Sequence, residues 1–345
     1  MTVIGTITEN PSWAATYTYG PIDKVDKSEY AEFLSAVVSR YKGPPYNVRY
    51  WEIYNEPDNT LVAYCSNPES GIACWGNDPG GYVELMATSY SAIKGADPQA
   101  RVMLGAVAMD WFTDEGGPFS RDFLEQVLTR GGGQYFDVVS FHYFPIYNWR
   151  WAPYGKDVIG KATFIRQVLA QFGLSKDLLA SEVGMWSDDR MGGSEQVQAK
   201  YLPQVFSRGM AAGLTATVWF MLMDEAGWEA KHGLLNPDLS PKPVFYAFQT
   251  FAAQLQNMHY EKPLSCSPAC GELEGYSFLN PSGKRITVVW NNSESTSVLS
   301  VTGNELRSVD LYGAVTDLYD VGDGSTDGKV SVPVGPSAVY LEVVK

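Results

Sequence analysis

The sequence predicts an α/β fold: a (β/α)8 TIM-type barrel lacking its first two β/α units, followed by an antiparallel β-sandwich. Three observations predict it. Strand-like runs alternate with amphipathic helices over the first three quarters of the 345 residues, the pattern of a parallel sheet covered by helices. Polar residues (Asn55, Glu56, Asp110, His142, Tyr143, Glu182 and Asp224) gather at the C-terminal ends of those strands, where a barrel collects its functional groups. From His259 onward, short alternating runs separated by Gly, Pro, Asn and Ser take over, which reads as a sandwich. The expected domains are therefore residues 1–258 and 259–345.

The elements follow in order. "VIGTIT" (Val3 to Thr8) is the first strand, and the next helix carries Tyr30, Phe33, Leu34, Val37, Val38 and Tyr41 on one face, with Asp26 and Glu29 as its capping pair. "VRYWEIYNEP" is the second strand; Pro57 has no N–H for a sheet ladder, so pairing should end about there. A loop containing Cys65 and Cys74 leads to a helix with Tyr82, Leu85, Met86, Tyr90 and Ile93 on one side. "RVMLGAVAMD" precedes a helix bearing Phe123, Leu124, Val127 and Leu128. "FDVVSFHYF" precedes one bearing Phe164, Ile165, Val168, Leu169 and Phe172, stopped by Gly173. "DLLASEVGMW" leads to a helix from about Ser194 to Ala212, and "ATVWFMLMD" to a last one from about Pro241 to Met258. That makes six strands where a closed barrel has eight, and the expectation is that they are the third through eighth. An open doubly wound sheet is the competing arrangement. It loses support because no Gly-rich phosphate loop follows the first strand.

Composition narrows the partners. A net charge of −14 disfavours phosphate backbones and anionic membranes, so no nucleic acid and no membrane are expected as partners. No apolar run is long enough to cross a bilayer, and "MTVIGTITEN" has neither a basic nor a sustained apolar segment of a signal peptide. The 10 Trp and 21 Tyr suit the flat apolar faces of sugars, although a large aromatic core also accounts for them. The four cysteines allow three pairings. Local pairs, Cys65 with Cys74 and Cys266 with Cys270, are preferred because each flanks polar loop sequence, and disulfides imply an extracellular or periplasmic location. The three histidines, His142, His232 and His259, are far apart in sequence, which weakens a zinc reading. Neither a metal nor another cofactor is expected. "NNS" at Asn291 matches a glycosylation acceptor, a frequent chance match, and "DVGDGSTDGK" has the flavour of a calcium loop but reads as a turn.

Glu56 and Glu182 carry the chemistry of this reading. Each ends a strand otherwise too apolar to tolerate a charge, and in a barrel both strand ends face one cleft. A solvated strand-end ion pair is the bland alternative for either glutamate alone. Two carboxyl groups about 5–5.5 Å apart can cleave a glycosidic bond with retention, one attacking the anomeric carbon while the other protonates the leaving oxygen. Glu182 is the expected nucleophile and Glu56 the expected acid. Burial and the charge on Glu182 keep Glu56 protonated until that charge disappears into the glycosyl ester. Asp110, Asp224 and Glu225 lie near the same face and read as solvated loop residues.

"YWEIYNEPD" and "LLASEVGMW" resemble the fourth- and seventh-strand signatures of clan A glycoside hydrolases, retaining (β/α)8 barrels. "SFHYFP" and "HGLLNPDLSPKPVFYAF" resemble family 39 and, more loosely, family 5 enzymes. The resemblance covers nearly the whole chain. It implies a retaining β-glycosidase of β-linked oligo- or polysaccharides, with Glu56 as acid/base, Glu182 as nucleophile, Asn55 on the sugar 2-hydroxyl and His142 beside the acid/base. Trp219 and Trp13 would line a sugar platform, or serve as core tryptophans. The family often has His-x-Tyr on the sixth strand, whereas this chain has Phe144, so Tyr143 or Tyr147 must substitute or the contact is absent. That departure supports an alternative, a catalytically impaired barrel that binds glycans.

Overall fold

The computed structural model describes residues 2–60, 74–227, 231–267 and 269–344. The described chain divides into two compact units. The first runs through Tyr143 and adds Trp149–Tyr154 and Gly160–Ser181; the second comprises Phe144–Asn148, Gly155–Ile159 and the residues from Glu182 onward.

The predicted alternation is present. Strands β1 (Ile4–Ile7), β2 (Tyr50–Asn55), β3 (Arg101–Val107), β4 (Val138–Tyr143), β5 (Asp177–Val183) and β6 (Thr217–Trp219) form one six-stranded sheet in chain order. The β1–β2, β2–β3 and β3–β4 pairings are parallel. Between and after the strands lie helices α1 (Lys27–Tyr41), α2 (Pro79–Ala96), α3 (Phe123–Thr129), α4 (Asn148–Trp151), α5 (Asp157–Gln171), α6 (Glu195–Ala211) and α7 (Pro243–Leu255). The six expected strands are thus present in order, and no closed eight-stranded barrel is formed among the described residues.

Local chemistry accounts for the boundaries. Tyr30, Leu34 and Val38, four residues apart, form the buried stripe of α1. Asp26 caps this helix by accepting from Ser28 N, not from the backbone of Glu29 as a capping box would have it; Glu29 N bonds the Asp26 carbonyl instead. Ser194 caps α6 through Val197 N at 3.1 Å. Gly173, with φ of 68°, ends the α5 segment as expected. Strand β6 is shorter than its apolar run because the backbone finds other partners. Leu234 N and Leu235 N bond the carbonyls of Met221 and Leu222, so the chain after Phe220 pairs locally.

The antiparallel strands begin at His259. One sheet has the order β12-β11-β14-β9-β8-β7 and a second pairs β10 with β13, within β7 (His259–Pro263), β8 (Leu273–Leu279), β9 (Arg285–Asn291), β10 (Ser297–Thr302), β11 (Glu305–Val309), β12 (Val315–Tyr319), β13 (Lys329–Val334) and β14 (Val339–Val343). Leu273, Val289, Leu306, Val332 and Leu341 are among the buried residues of their common core. Inside the second unit, Arg208 near the end of α6 clamps this region. Its guanidinium bonds both oxygens of Glu274 on β8, at 2.9 and 3.0 Å, and reaches Asp157 at 3.1 Å. Burial alone would raise Glu274, but Arg208 and Lys156 bring it down to about 2.

Other sequence expectations resolve here. Cys266 and Cys270 are joined. Cys74 is disulfide-bonded, while the pairing expected with Cys65 falls outside the described residues. Asn291 is buried, its Nδ2 donating to Ser297 Oγ at 2.9 Å and its Oδ1 accepting from Ser293 N; the sequon is an internal turn. In the calcium-like stretch, Asp320 accepts from the backbone N–H groups of Asp327, Gly328 and Lys329, which makes it a turn. No helix among the described residues is long and apolar enough to cross a membrane.

Candidate active site

In the first unit the site begins with a break in the ladder between β2 and β3. Ile53 pairs with Leu104 and Asn55 with Ala106, but Tyr54, with φ of 66°, and Gly105 stand between. The hydroxyl of Tyr82 on α2 fills that gap, donating to Ile53 O at 2.8 Å and accepting from Gly105 N at 3.0 Å. Glycine is required at 105, since a Cβ would lie 2.2 Å from Ile53 O. Pairing resumes with Glu56 N on Ala106 O at 2.9 Å, and the strand then stops at Pro57.

Glu56 therefore stands just past the end of β2, with φ of 45° in the left-handed region and its side chain 29% exposed. A non-glycine residue held there is strained, a feature that clusters at functional sites. His142, on β4 and almost wholly buried, places Nδ1 3.0 Å from Glu56 Oε1. Asn55, the last residue of β2, is exposed. Tyr143 is fully buried. Trp13 is exposed and lines a cavity of about 250 Å3 together with Thr8, Asn10, Phe33 and Tyr54.

Charged groups that the sequence reading missed lie beneath Glu56. Asp58 is completely buried and accepts from Ala108 N at 3.1 Å and Met109 N at 2.8 Å. Burial pushes Asp58 up to about 7, against the pull of those two N–H groups and with a further push from the charge of Glu56. Lys161 on α5, also completely buried, donates to Ala108 O and to Asp110 Oδ1, the latter at 2.8 Å. Asp110 accepts in addition from Trp151 Nε1 at 3.1 Å. Asp110 is not solvated, as its loop position suggested, but sealed in with a cation. Burial disfavours both charges of the pair and outweighs their mutual attraction, raising Asp110 and lowering Lys161.

In the second unit, Glu182 is the penultimate residue of β5 and partly exposed. Gly184 follows where a side chain would collide with Phe220 O and approach His232 Nδ1. Phe144 packs among Trp186, Phe220 and His232, with centroid separations of 5.8, 6.3 and 5.4 Å. Burial drives the His232 imidazole down to about 4, so it is neutral near pH 7. Trp219 is buried and donates its Nε1–H to His232 O at 2.9 Å. Asp224, like Asp110, is buried rather than solvated, 2.6 Å from Lys242 Nζ. No group of three or more His, Cys, Asp or Glu suited to a metal occurs among the described residues.

No protein-family model and no curated protein sequence matches this chain. Solved structures match its fold. A family 39 glycoside hydrolase from Bacteroides cellulosilyticus superposes with a TM-score of 0.68 at 19% identity, over 92% of this chain and 62% of that one. A glucosidase from Croceicoccus marinus gives 0.67 at 15% identity, over 99% and 78%. A GH30 endoxylanase from Clostridium papyrosolvens gives 0.59 at 14% identity, over 94% and 72%. The chain thus spans less than two thirds of the family 39 enzyme's length. Its fold is similar to that of these glycoside hydrolases.

Proposed function

We propose that this chain is a retaining β-glycosidase in which Glu182 is the nucleophile and Glu56 the acid/base. The observation that carries the reading is the setting of Glu56: a partly exposed carboxyl group on a strained backbone, just past a strand end, against His142 Nδ1 at 3.0 Å. In its Nδ1–H tautomer, His142 donates to Oε1 and leaves Oε2 for the substrate. Glu182 attacks the anomeric carbon as Glu56 protonates the departing oxygen. A glycosyl ester forms and the aglycone leaves as an alcohol. Water then attacks the ester while Glu56 takes its proton, which frees the sugar and restores both carboxyl groups. Asn55, exposed beside Glu56, would bond the sugar 2-hydroxyl; Trp13 and Trp219 are the aromatic candidates for a sugar platform. The domain boundary near residue 258 and an extracellular or periplasmic location belong to the same proposal, the latter supported by the disulfide.

The neighbours are a glucosidase and an endoxylanase by name, so nitrophenyl β-glucoside and β-xyloside are the first substrates to assay. Glu182→Ala should lose turnover, and azide should restore it with formation of the glycosyl azide of inverted configuration. Undiminished hydrolysis by that variant refutes the assignment. The packing of Phe144 against Trp186 and His232, where relatives often have a tyrosine, favours one other reading, a glycan-binding protein without turnover. Measurable sugar affinity with no hydrolysis by the parent chain selects it.

A further inference from the structure

Asp58, Asp110 and Lys161 are each at least nine-tenths buried and lie on three different elements of the first unit. Asp58 follows Glu56 by two residues and holds the backbone after β3 through Ala108 N and Met109 N, while its own carbonyl accepts from Ser120 N at 2.8 Å. Lys161 grips the opposite side of the same segment, through Ala108 O and Asp110. The loop that presents Glu56 is thereby fastened through Asp58 to the loop after β3, which Lys161 and Asp110 hold from the other side. A merely stabilising core would fill this space with apolar side chains at no loss, because buried ion pairs are weak sources of stability.

We propose that Lys161, with Asp58 and Asp110, is a buried charge-balancing network that positions Glu56 and sets how firmly it holds its proton. The inference rests on the assignment of Glu56 as acid/base. The titratable groups facing the network are Glu56, Asp58, Asp110, His142 and Tyr82. Asp58 and Lys161 are coupled through charge to Glu56, and the burial of the network leaves its fields largely unscreened by salt. A nearby anion favours the neutral form of a carboxyl and a nearby cation its charged form, so removing Asp58 or Lys161 should act on Glu56 in opposite directions. Burial delays ionisation of Asp58 until about pH 7, so its negative charge is present only above that pH.

The test uses opposite substitutions. Lys161→Met removes the cation, and the alkaline limb of the kcat/KM profile should rise by about one pH unit, the scale set by one close charge. Asp58→Asn removes an anion that forms only above about pH 7 and should lower that limb by less than one unit. The double variant Lys161→Met/Asp110→Asn loses one charge of each sign and should return the limb toward its original position, which also guards against a fold lost for want of charge balance. Lowered melting temperatures with all limbs coincident would make the network purely structural and overturn the proposal. A 13C carboxyl titration of Glu56 in the same proteins reads the effect without turnover. A parent chain that hydrolyses nothing therefore refutes the glycosidase assignment, while the titration still decides this one.

Discussion

Replacing Tyr82 with phenylalanine removes one hydroxyl from the interior of the first unit and keeps the ring. The ring is fully buried, with edge-on contact to Trp75 at 5.6 Å and tilted contact to Phe123 at 5.4 Å, so apolar packing survives. Two backbone groups lose their partner: Ile53 O and Gly105 N, both buried in the gap between β2 and β3. Each buried group left unsatisfied costs about 1–3 kcal/mol. Removing the hydroxyl's own desolvation recovers part of this, so the expected loss is about 2–4 kcal/mol. With a urea slope of about 3 kcal/mol/M or more, the unfolding midpoint falls by up to about 1.3 M with the slope unchanged. Because Glu56 lies three residues beyond Ile53, hydrolysis should fall along with stability. A loss below about 0.5 kcal/mol, the size of an ordinary surface change, would refute the view that this hydroxyl substitutes for ladder hydrogen bonds.

Arg208→Met leaves Asp157 and Glu274 buried without their shared cation and should destabilise by about 3–5 kcal/mol in thermal or urea unfolding; Arg208→Met/Glu274→Gln should recover part of that loss. Glu274 also predicts an acid limb of stability. Its folded value, about 2, lies below its ordinary 4.5, so the stabilisation is fully present above pH 4.5 and drains away as pH falls toward 2. Unfolding free energies measured from pH 6 to pH 2 should drop in that window in the parent and be flatter in Glu274→Gln.

Much of this architecture is written in short-range pattern. The buried apolar runs of β2 to β5 and the helical stripes on α1, α2 and α5 fix their elements, and Pro57 marks the end of β2 from its missing N–H alone. Glu56 and His142 could be picked out because each sits at the end of such a run, and the structure brings them together. Asp110 and Asp224 were misread because their cations arrive 51 and 18 residues further on, Lys161 from α5 and Lys242 from the residue before α7. A signal for Lys161 existed: it is the one charge in the otherwise apolar stretch "VIGKATFI", a position where a lysine is retained only with a buried partner. Gly105 inside a strand pattern hinted at close backbone approach, but not that a phenol from α2 would fill the gap. Phe144 looked like a simple omission of tyrosine; the aromatic cluster around it depends on Trp186, Phe220 and His232, which no local pattern joins.

The torsion at Glu56 governs how this position can be dissected. Any L side chain held left-handed forfeits about 1–2 kcal/mol, whereas glycine does not. Glu56→Gly would therefore relieve that strain and remove the proposed acid at the same time, and the two consequences would be confounded in any comparison of lifetimes or yields. Glutamine keeps the torsional burden and the volume, so inert complexes for crystallography are best prepared from Glu56→Gln. By the same logic, glycine is the one replacement at position 56 that relieves the torsion, and the acid role proposed for Glu56 is what opposes it.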